Sequence, residues 1–229
     1  MKISAIIPVA GEGKRFAGRV AKQFVEINGQ PLLAYTLRTI ISVQEIKEGV
    51  VVAARHEIEK TFQILEHLAG FKEKFKIVAG GKERQDSVYN GLITIDPNCD
   101  IVVVHDGVRP LVTAEILRAS IKEASETGAC VVAVPVKDTI KRVVANKVVE
   151  TLAREQLWQA QTPQSFKYDI LIKAHEQARK EKCYATDEAA LVERAGYPVS
   201  VLRGDYSNIK ITTLDDLKIA QMFLNREDV

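Results

Sequence analysis

The chain has 229 residues, 46% hydrophobic and 27% charged, a balance that supports a large core and excludes an intrinsically disordered protein. Its net charge of +2 comes from interspersed acids and bases, which excludes the broad basic face of a nucleic-acid binder and favours local anion sites. Cys99, Cys130 and Cys183 give neither a disulfide framework nor a zinc spacing, and no apolar run reaches the roughly 18 residues that span a bilayer. The N-terminus reads as a strand and not as a basic-then-apolar signal. These features predict a cytoplasmic protein with no membrane and no nucleic-acid partner.

Residues 3–7 form an apolar run that leads through Pro8 and Val9 into Ala10-Gly11-Glu12-Gly13-Lys14-Arg15, which predicts a buried strand ending in a glycine-rich turn. Glycines let backbone N–H groups approach an anion closely, and Arg15 and Lys22 add charge from the same loop, which is how a phosphate site is built. Taken alone the same residues describe an ordinary surface turn better, and they match neither the dinucleotide fingerprint nor the P-loop. Pro31 opens a helical pattern with Leu32, Leu33, Leu37 and Ile40 on one face, ending near Val43. Residues 49–54 predict a second strand, 57–68 a helix carrying Ile58, Phe62, Leu65 and Leu68, and 76–78 a short third strand. In 80–92, GGKERQDSVYNGL, a double glycine precedes a helix bearing Val88, Leu92 and Ile95. Arg84 and Ser87 in its first turns suit either an anion contact at free N–H groups or a plain capped helix.

The apolar strand at 101–105 ends in His105-Asp106-Gly107-Val108-Arg109-Pro110. Carboxyl ends of strands form the ligand crevice in open α/β sheets, so Asp106 is placed to hold a metal and Arg109 an anion; a structural salt bridge fits the spacing as well. His105 reads as structural. Thr113 caps a helix with Leu117, Ile121 and Ala124, and 129–136 is the next buried strand. Residues 138–152 alternate around Asn146-Lys147 as a two-stranded hairpin, which is marginal alone in water and is expected to pack against something, a second subunit being the candidate. The stretch 158–166, WQAQTPQSF, reads as an ordered connection in which Trp158 is a core or interface anchor. Helices are predicted at 166–179 and 186–195, with Thr186-Asp187-Glu188 as the start of the second; 199–202 and 208–212 read as strands. Thr213 caps a final helix with Leu217, Ala220 and Leu224 inward. The alternation predicts an α/β fold, a mainly parallel sheet with helices on both faces, as one domain over 1–229 with an arm at about 137–155.

Seven segments stand together in order: IIPVAGEGKRF with AKQF, GGKERQDSV, VVVHDGVRP, PVKDTIKRV, LWQAQTPQSF, ATDEAALVE and NIKIT. Over nearly the whole chain they resemble the 2-C-methyl-D-erythritol 4-phosphate cytidylyltransferase family. The resemblance implies a Rossmann-like nucleotidyltransferase fold with an extended β-hairpin arm, CTP and a sugar-alcohol phosphate as substrates, Mg2+ as cofactor, and a homodimer with shared active sites. By the same resemblance Pro8, Val9, Ala10, Gly11 and Gly13 wrap the nucleotide, and Arg15 and Lys22 stabilise the transition state. Gly81, Lys82 and Ser87 lie at cytosine and ribose, and Asp106 with Gly107 lies beside the triphosphate and its metal. Arg109, Thr139, Thr162, Thr186 and Lys210 line the acceptor site, which Arg154 reaches from the partner's arm; Arg154 and Lys210 hold the acceptor in line.

The chemistry implied agrees with that residue set. A phosphate monoester is largely dianionic at neutral pH and needs no general base, so no His, Cys or Ser triad is expected, while cations from several loops must offset anionic repulsion. Departures from the family pattern are Val9 for a second small residue, Ala21 for a proline, Lys82 for an acidic or small residue, Gly107-Val108 for two alanines, and Ser207 for an acidic residue, with Asp205 nearby as a substitute. Two rivals share the nucleotide half: a ribitol- or glycerol-phosphate cytidylyltransferase, separated by Thr139, Arg154, Thr162 and Thr186, and a non-catalytic nucleotide-binding regulator, opposed by Arg15, Lys22, Asp106 and Lys210 together.

Overall fold

In a computed structural model the structure describes residues 1–11 and 21–225. In chain order the strands are β1 (Ile3–Pro8), the short pair β2 (Glu26–Ile27) and β3 (Gln30–Pro31), β4 (Ile46–Ala53), β5 (Phe75–Ala79), β6 (Ile101–Val104), β7 (Ala129–Pro135), β8 (Lys141–Val144), β9 (Lys147–Thr151), β10 (Trp158–Lys167) and β11 (Ser200–Arg203). The helices are α1 (Leu32–Ser42), α2 (Ile58–Leu65), α3 (Phe71–Lys74), α4 (Arg84–Leu92), α5 (Ala114–Thr127), α6 (Tyr168–Lys180), α7 (Glu188–Arg194) and α8 (Leu214–Leu224).

Seven strands form one sheet in the order β11-β7-β10-β6-β1-β4-β5. Its neighbours are parallel except that β10 runs antiparallel to both β6 and β7. Successive side chains of a strand point to opposite faces, so a strand covered on both sides must be apolar throughout. Thus Ile7 joins Leu33, Leu37, Leu65, Leu117 and Ile121 in a core under α1, α2 and α5, while Ile6 joins Val88, Leu92, Leu171 and Leu191 under α4, α6 and α7. This is the predicted sheet with helices on both faces. None of the helices among the described residues is long and apolar enough to cross a membrane.

Two sequence readings change. Residues 158–166 are not a connection: they belong to β10, an interior strand of the sheet between β7 and β6. Its buried polar side chains find partners off the strand, Gln164 Nε2 donating to Asp187 Oδ2 at 2.8 Å and Ser165 Oγ meeting Ser120 Oγ at 2.9 Å. Residues 208–212 form no strand; buried Asn208 and the Ile211 N–H, 3.0 Å from the Val108 carbonyl, fix them as an irregular segment against the 106–109 turn. The helix start read at Thr186-Asp187-Glu188 is present, with Asp187 capping α7 and accepting from the Ala190 N–H at 3.0 Å.

The predicted hairpin is present as β8 and β9. Ala145 and Asn146 at its turn have φ of +46° and +62°, the left-handed pair that matches strand twist in a tight hairpin. Every residue of both strands is exposed, including Val143, Val144, Val148 and Val149, and Trp158 at its root is 43% exposed.

Candidate active site

The carboxyl ends of β1, β5 and β6 meet the 208–211 segment around a cavity of about 140 Å³. Parallel strands deliver their following loops to one edge of the sheet, so residues far apart in sequence converge there. The loop after β1 supplies Pro8, Val9, Ala10 and Gly11, and Lys22 enters from a single 3-10 turn, Lys22–Phe24. That turn is anchored by buried Gln23, whose Nε2 donates to Glu57 Oε2 at 2.9 Å.

The loop after β5 is built by glycines for lack of room. A Cβ on Gly80 would lie 2.5 Å from the Ala10 Cβ and 2.8 Å from Ser87 Oγ, so the first two loops touch only because residue 80 has no side chain. Gly81 N–H donates to Ser87 Oγ at 3.1 Å, and Ser87 Oγ donates to the Glu83 carbonyl at 3.1 Å. Glu83 and Asp86 close a capping box over the same turn, leaving Gly81 and Lys82 at the cavity wall.

Asp106, just past β6, is the electrostatic centre. Its Oδ1 accepts from Arg84 Nε at 3.2 Å and Nη2 at 3.1 Å, while its Oδ2 lies 2.8 Å from Lys210 Nζ and 3.6 Å from Arg109 Nε. Burial pushes this carboxyl up, and Arg84, Lys210 and Arg109 outweigh burial and hold it well below the usual carboxylate range. Arg84 also spans both oxygens of Glu188, at 2.8 and 2.6 Å from Nη1. Three cations thus face two buried carboxylates, which leaves the cluster with surplus positive charge beside the cavity.

The turn itself is held by a chain of hydrogen bonds. Asp106 N–H donates to Thr162 Oγ1 at 3.0 Å, and that hydroxyl meets His105 Nδ1 at 3.0 Å. With Nδ1 as acceptor, the other ring nitrogen faces the Arg109 carbonyl at 3.4 Å. Burial lowers the His105 pKa to about 4, so the ring is neutral and serves as a strut, as its sequence position predicted. Arg109 Nη1 donates to the Asn208 carbonyl at 2.7 Å, and Asn208 Nδ2 donates to the Thr162 carbonyl at 2.8 Å. That knot fixes Lys210 two residues on.

Among the residues read from sequence, Pro8, Val9, Ala10, Gly11, Lys22, Gly81, Lys82, Ser87 and Lys210 line one cavity, with Asp106, Arg109 and Thr162 directly behind it. Thr139, Arg154 and Thr186 are exposed and outside that lining; Arg154 Nη1 donates to the Lys137 carbonyl at 3.0 Å at the root of the hairpin. Gly13 and Arg15 lie outside the described residues. Sequence reasoning missed Glu188, Gln161 and Asn208, and read Arg84 as an anion contact or an exposed residue of a capped helix, not as the partner of two carboxylates.

Two departures from the family pattern explain each other. A Cβ on Gly107 would collide with Val9 Cγ1 and lie 3.0 Å from Leu33 Cδ1, so the larger residue at 9 occupies the space of a methyl at 107. Gly107→Ala is expected to cost about 1–3 kcal/mol by overpacking, and Val9→Ala in the same chain to restore most of it. Urea unfolding of the two singles and the double checks this; a Gly107→Ala chain as stable as the parent contradicts it.

Among the described residues no three His, Cys, Asp or Glu side chains gather as a metal cage. Mg2+ commonly keeps waters and binds one or two carboxylates plus substrate phosphates, so a lone Asp106 beside an anion pocket fits a cation carried in by a polyphosphate.

Comparison with known proteins matches both the sequence and the fold. A family model described as 2-C-methyl-D-erythritol 4-phosphate cytidylyltransferase matches residues 3–226. Proteins of that name from Alkaliphilus oremlandii and Pelotomaculum thermopropionicum are 42% and 45% identical, over 97% and 96% of this chain and 95% and 93% of theirs. The crystal structure of 4-diphosphocytidyl-2C-methyl-D-erythritol synthase from Anaerococcus prevotii superposes with a TM-score of 0.86 at 32% identity, covering 98% of each chain. That of the Thermus thermophilus cytidylyltransferase gives 0.79 at 29%, covering 97% and 98%. With its sequence and its fold both matching, the chain belongs to the 2-C-methyl-D-erythritol 4-phosphate cytidylyltransferase family.

Proposed function

We propose that this protein transfers CMP from CTP to 2-C-methyl-D-erythritol 4-phosphate, giving 4-diphosphocytidyl-2-C-methyl-D-erythritol and pyrophosphate by in-line attack of the acceptor phosphate on the α-phosphorus. The observation that carries this reading is the cation-rich cluster around Asp106, which presents Arg84 and Lys210 in the wall of a glycine-built cavity, in a chain of this family. An anionic nucleophile must approach an anionic triphosphate, so fixed positive charge and alignment are what the site has to supply. In this reading Pro8 to Gly11, Gly13, Gly81, Lys82 and Ser87 hold the nucleotide, and Lys22 with Arg15 stabilises charge at the α-phosphorus. Arg109, Thr139, Thr162, Thr186, Lys210 and the partner's Arg154 receive the acceptor.

Asp106 with Gly107 beside it would hold Mg2+ together with nucleotide phosphates, and the ion when bound neutralises charge on the triphosphate. Cytoplasmic location accords with three free cysteines, two of them buried.

The test is pyrophosphate release by purified protein with CTP and Mg2+, comparing methylerythritol phosphate with ribitol phosphate. Release with the former supports the proposal. Release with ribitol phosphate instead moves the protein to the sister activity, and release with neither overturns catalysis.

The hairpin is the proposed dimer arm, because an isolated two-stranded ribbon with four exposed valines is marginal in water and gains stability only by packing. A chain with residues 141–151 replaced by a short turn is expected to elute as a monomer in size-exclusion chromatography with light scattering. An unchanged dimer would count against the arm.

A further inference from the structure

Arg84 and Glu188 are 104 residues apart and joined by a nearly buried ion pair, the Glu188 side chain being 1% exposed. Stability gives little reason for such a pair, since desolvating two charges offsets most of their attraction, and apolar replacements of similar size are often neutral or better. Its geometry has a different consequence. Both Glu188 oxygens are taken by Arg84 Nη1, so the guanidinium turns Nε and Nη2 toward Asp106 and reaches only Oδ1, at 3.2 and 3.1 Å. Oδ2 is left for Lys210 at 2.8 Å. An arginine with no second carboxylate would default to a two-pronged fork on both oxygens of its partner.

The neighbouring residue strengthens the same link. Gln85 Nε2 donates to the Cys183 carbonyl at 3.0 Å and Gln85 Oε1 accepts from the Ala185 N–H at 2.9 Å, so the first turn of α4 holds the segment that carries Glu188. Arg84 itself stands in the wall of the cavity.

We infer that Arg84 and Glu188 are a positioning pair: Glu188 fixes the angle of the Arg84 guanidinium, which orients the Asp106 carboxylate so that Oδ2 faces Lys210 at the cavity. The kinetic consequence rests on the activity proposed above; the geometric one does not.

Two variants test it. Arg84→Met/Glu188→Met removes the pair while keeping bulk, and is expected to match the parent in urea midpoint and in CTP KM within about threefold. Its kcat is expected to fall roughly 10- to 100-fold, the loss typical of residues that orient a functional ligand from behind. A double variant with parental kcat overturns the inference, as does a loss of kcat that merely tracks a loss of folded protein. Glu188→Gln keeps shape and removes charge; its crystal structure is expected to show Arg84 forked on both Asp106 oxygens and Lys210 displaced. Arg84 still on Oδ1 alone, with Lys210 in place, overturns the inference. This structural arm needs no turnover, so a parent chain that releases no pyrophosphate would remove the proposed activity and leave the positioning pair to be decided by geometry.

Discussion

Lys22→Ala is expected to slow pyrophosphate release at saturating substrates by roughly 100- to 1,000-fold, about 2.7–4 kcal/mol in the barrier, by analogy with loss of one preorganised donor. Lys22 rises from a short turn whose next two residues are buried, Gln23 on Glu57 and Phe24 beneath the Lys60 ammonium at 4.5 Å. A cation mounted on such a base is aimed before the substrate arrives and spends little on reordering when charge develops. In the proposed site the nucleotide is also held by Pro8 to Gly11, Gly81, Lys82 and Ser87, so KM for CTP is expected to change only a few-fold. Steady-state kinetics with far-ultraviolet circular dichroism as a folding control decide the matter. A kcat within threefold of the parent would remove Lys22 from the reaction.

Acid is expected to remove several kcal/mol of stability between pH 6.5 and 4. Burial lowers both His105 and His175 to about 4 in the folded chain, from an ordinary value of 6.5. For His175 the positive charges of Arg84 and Arg179 act in the same direction, and Asp86 opposes them. In that window each histidine is protonated in the unfolded chain and neutral in the folded one, so the unfolded state binds more protons and stability falls as pH falls. Each pH unit is worth about 1.4 kcal/mol per histidine. Glu188 works the other way, because burial raises its pKa and it takes up a proton first in the folded state. Neither ring nitrogen of His175 has a hydrogen-bond partner, so His175→Leu forfeits no bond. It is expected to be more stable than the parent at pH 5 and to show a shallower slope from pH 7 to 5 by urea titration. An equal slope in parent and variant would refute the assignment.

Much of this architecture was readable because parallel strands covered on both faces must be largely apolar, as β6, β7, most of β1 and the second half of β4 are. β10 escaped for the opposite reason. Gln161, Thr162, Gln164 and Ser165 look like loop residues, yet all are buried, and their partners Asp205, Asp106, Asp187 and Ser120 come from distant parts of the chain. Periodicity detects burial in apolar surroundings and is silent on polar groups satisfied by tertiary contacts. Residues 208–212 misled in the reverse sense: Ile209 and Ile211 alternate like a strand, but they pack in a side cluster with residues of α1 and α8 and pair with no strand of the sheet. The site followed the same division. Asp106, Arg109 and Lys210 sit in short motifs that carry their own chemistry, whereas Glu188 acquires its meaning only from Arg84.

The place of β10 also matters during synthesis. β6 has β1 on one side, but its other edge, and every partner of β7, waits for residues 158–167 or later. At ~5–20 residues per second the roughly fifty residues between β6 and β10 need about 3–10 s to leave the ribosome. Through that interval the nascent chain carries Val102, Val103 and Val104 as an open apolar edge, the kind of template on which neighbouring chains pair wrongly. Ribosome-arrested chains ending before Trp158 are expected to be digested readily by protease, and chains extending beyond Arg203 to resist it. This interior strand is therefore a late keystone, and a translational pause or a holding chaperone acting between β7 and β10 would affect yield more than one acting at either end.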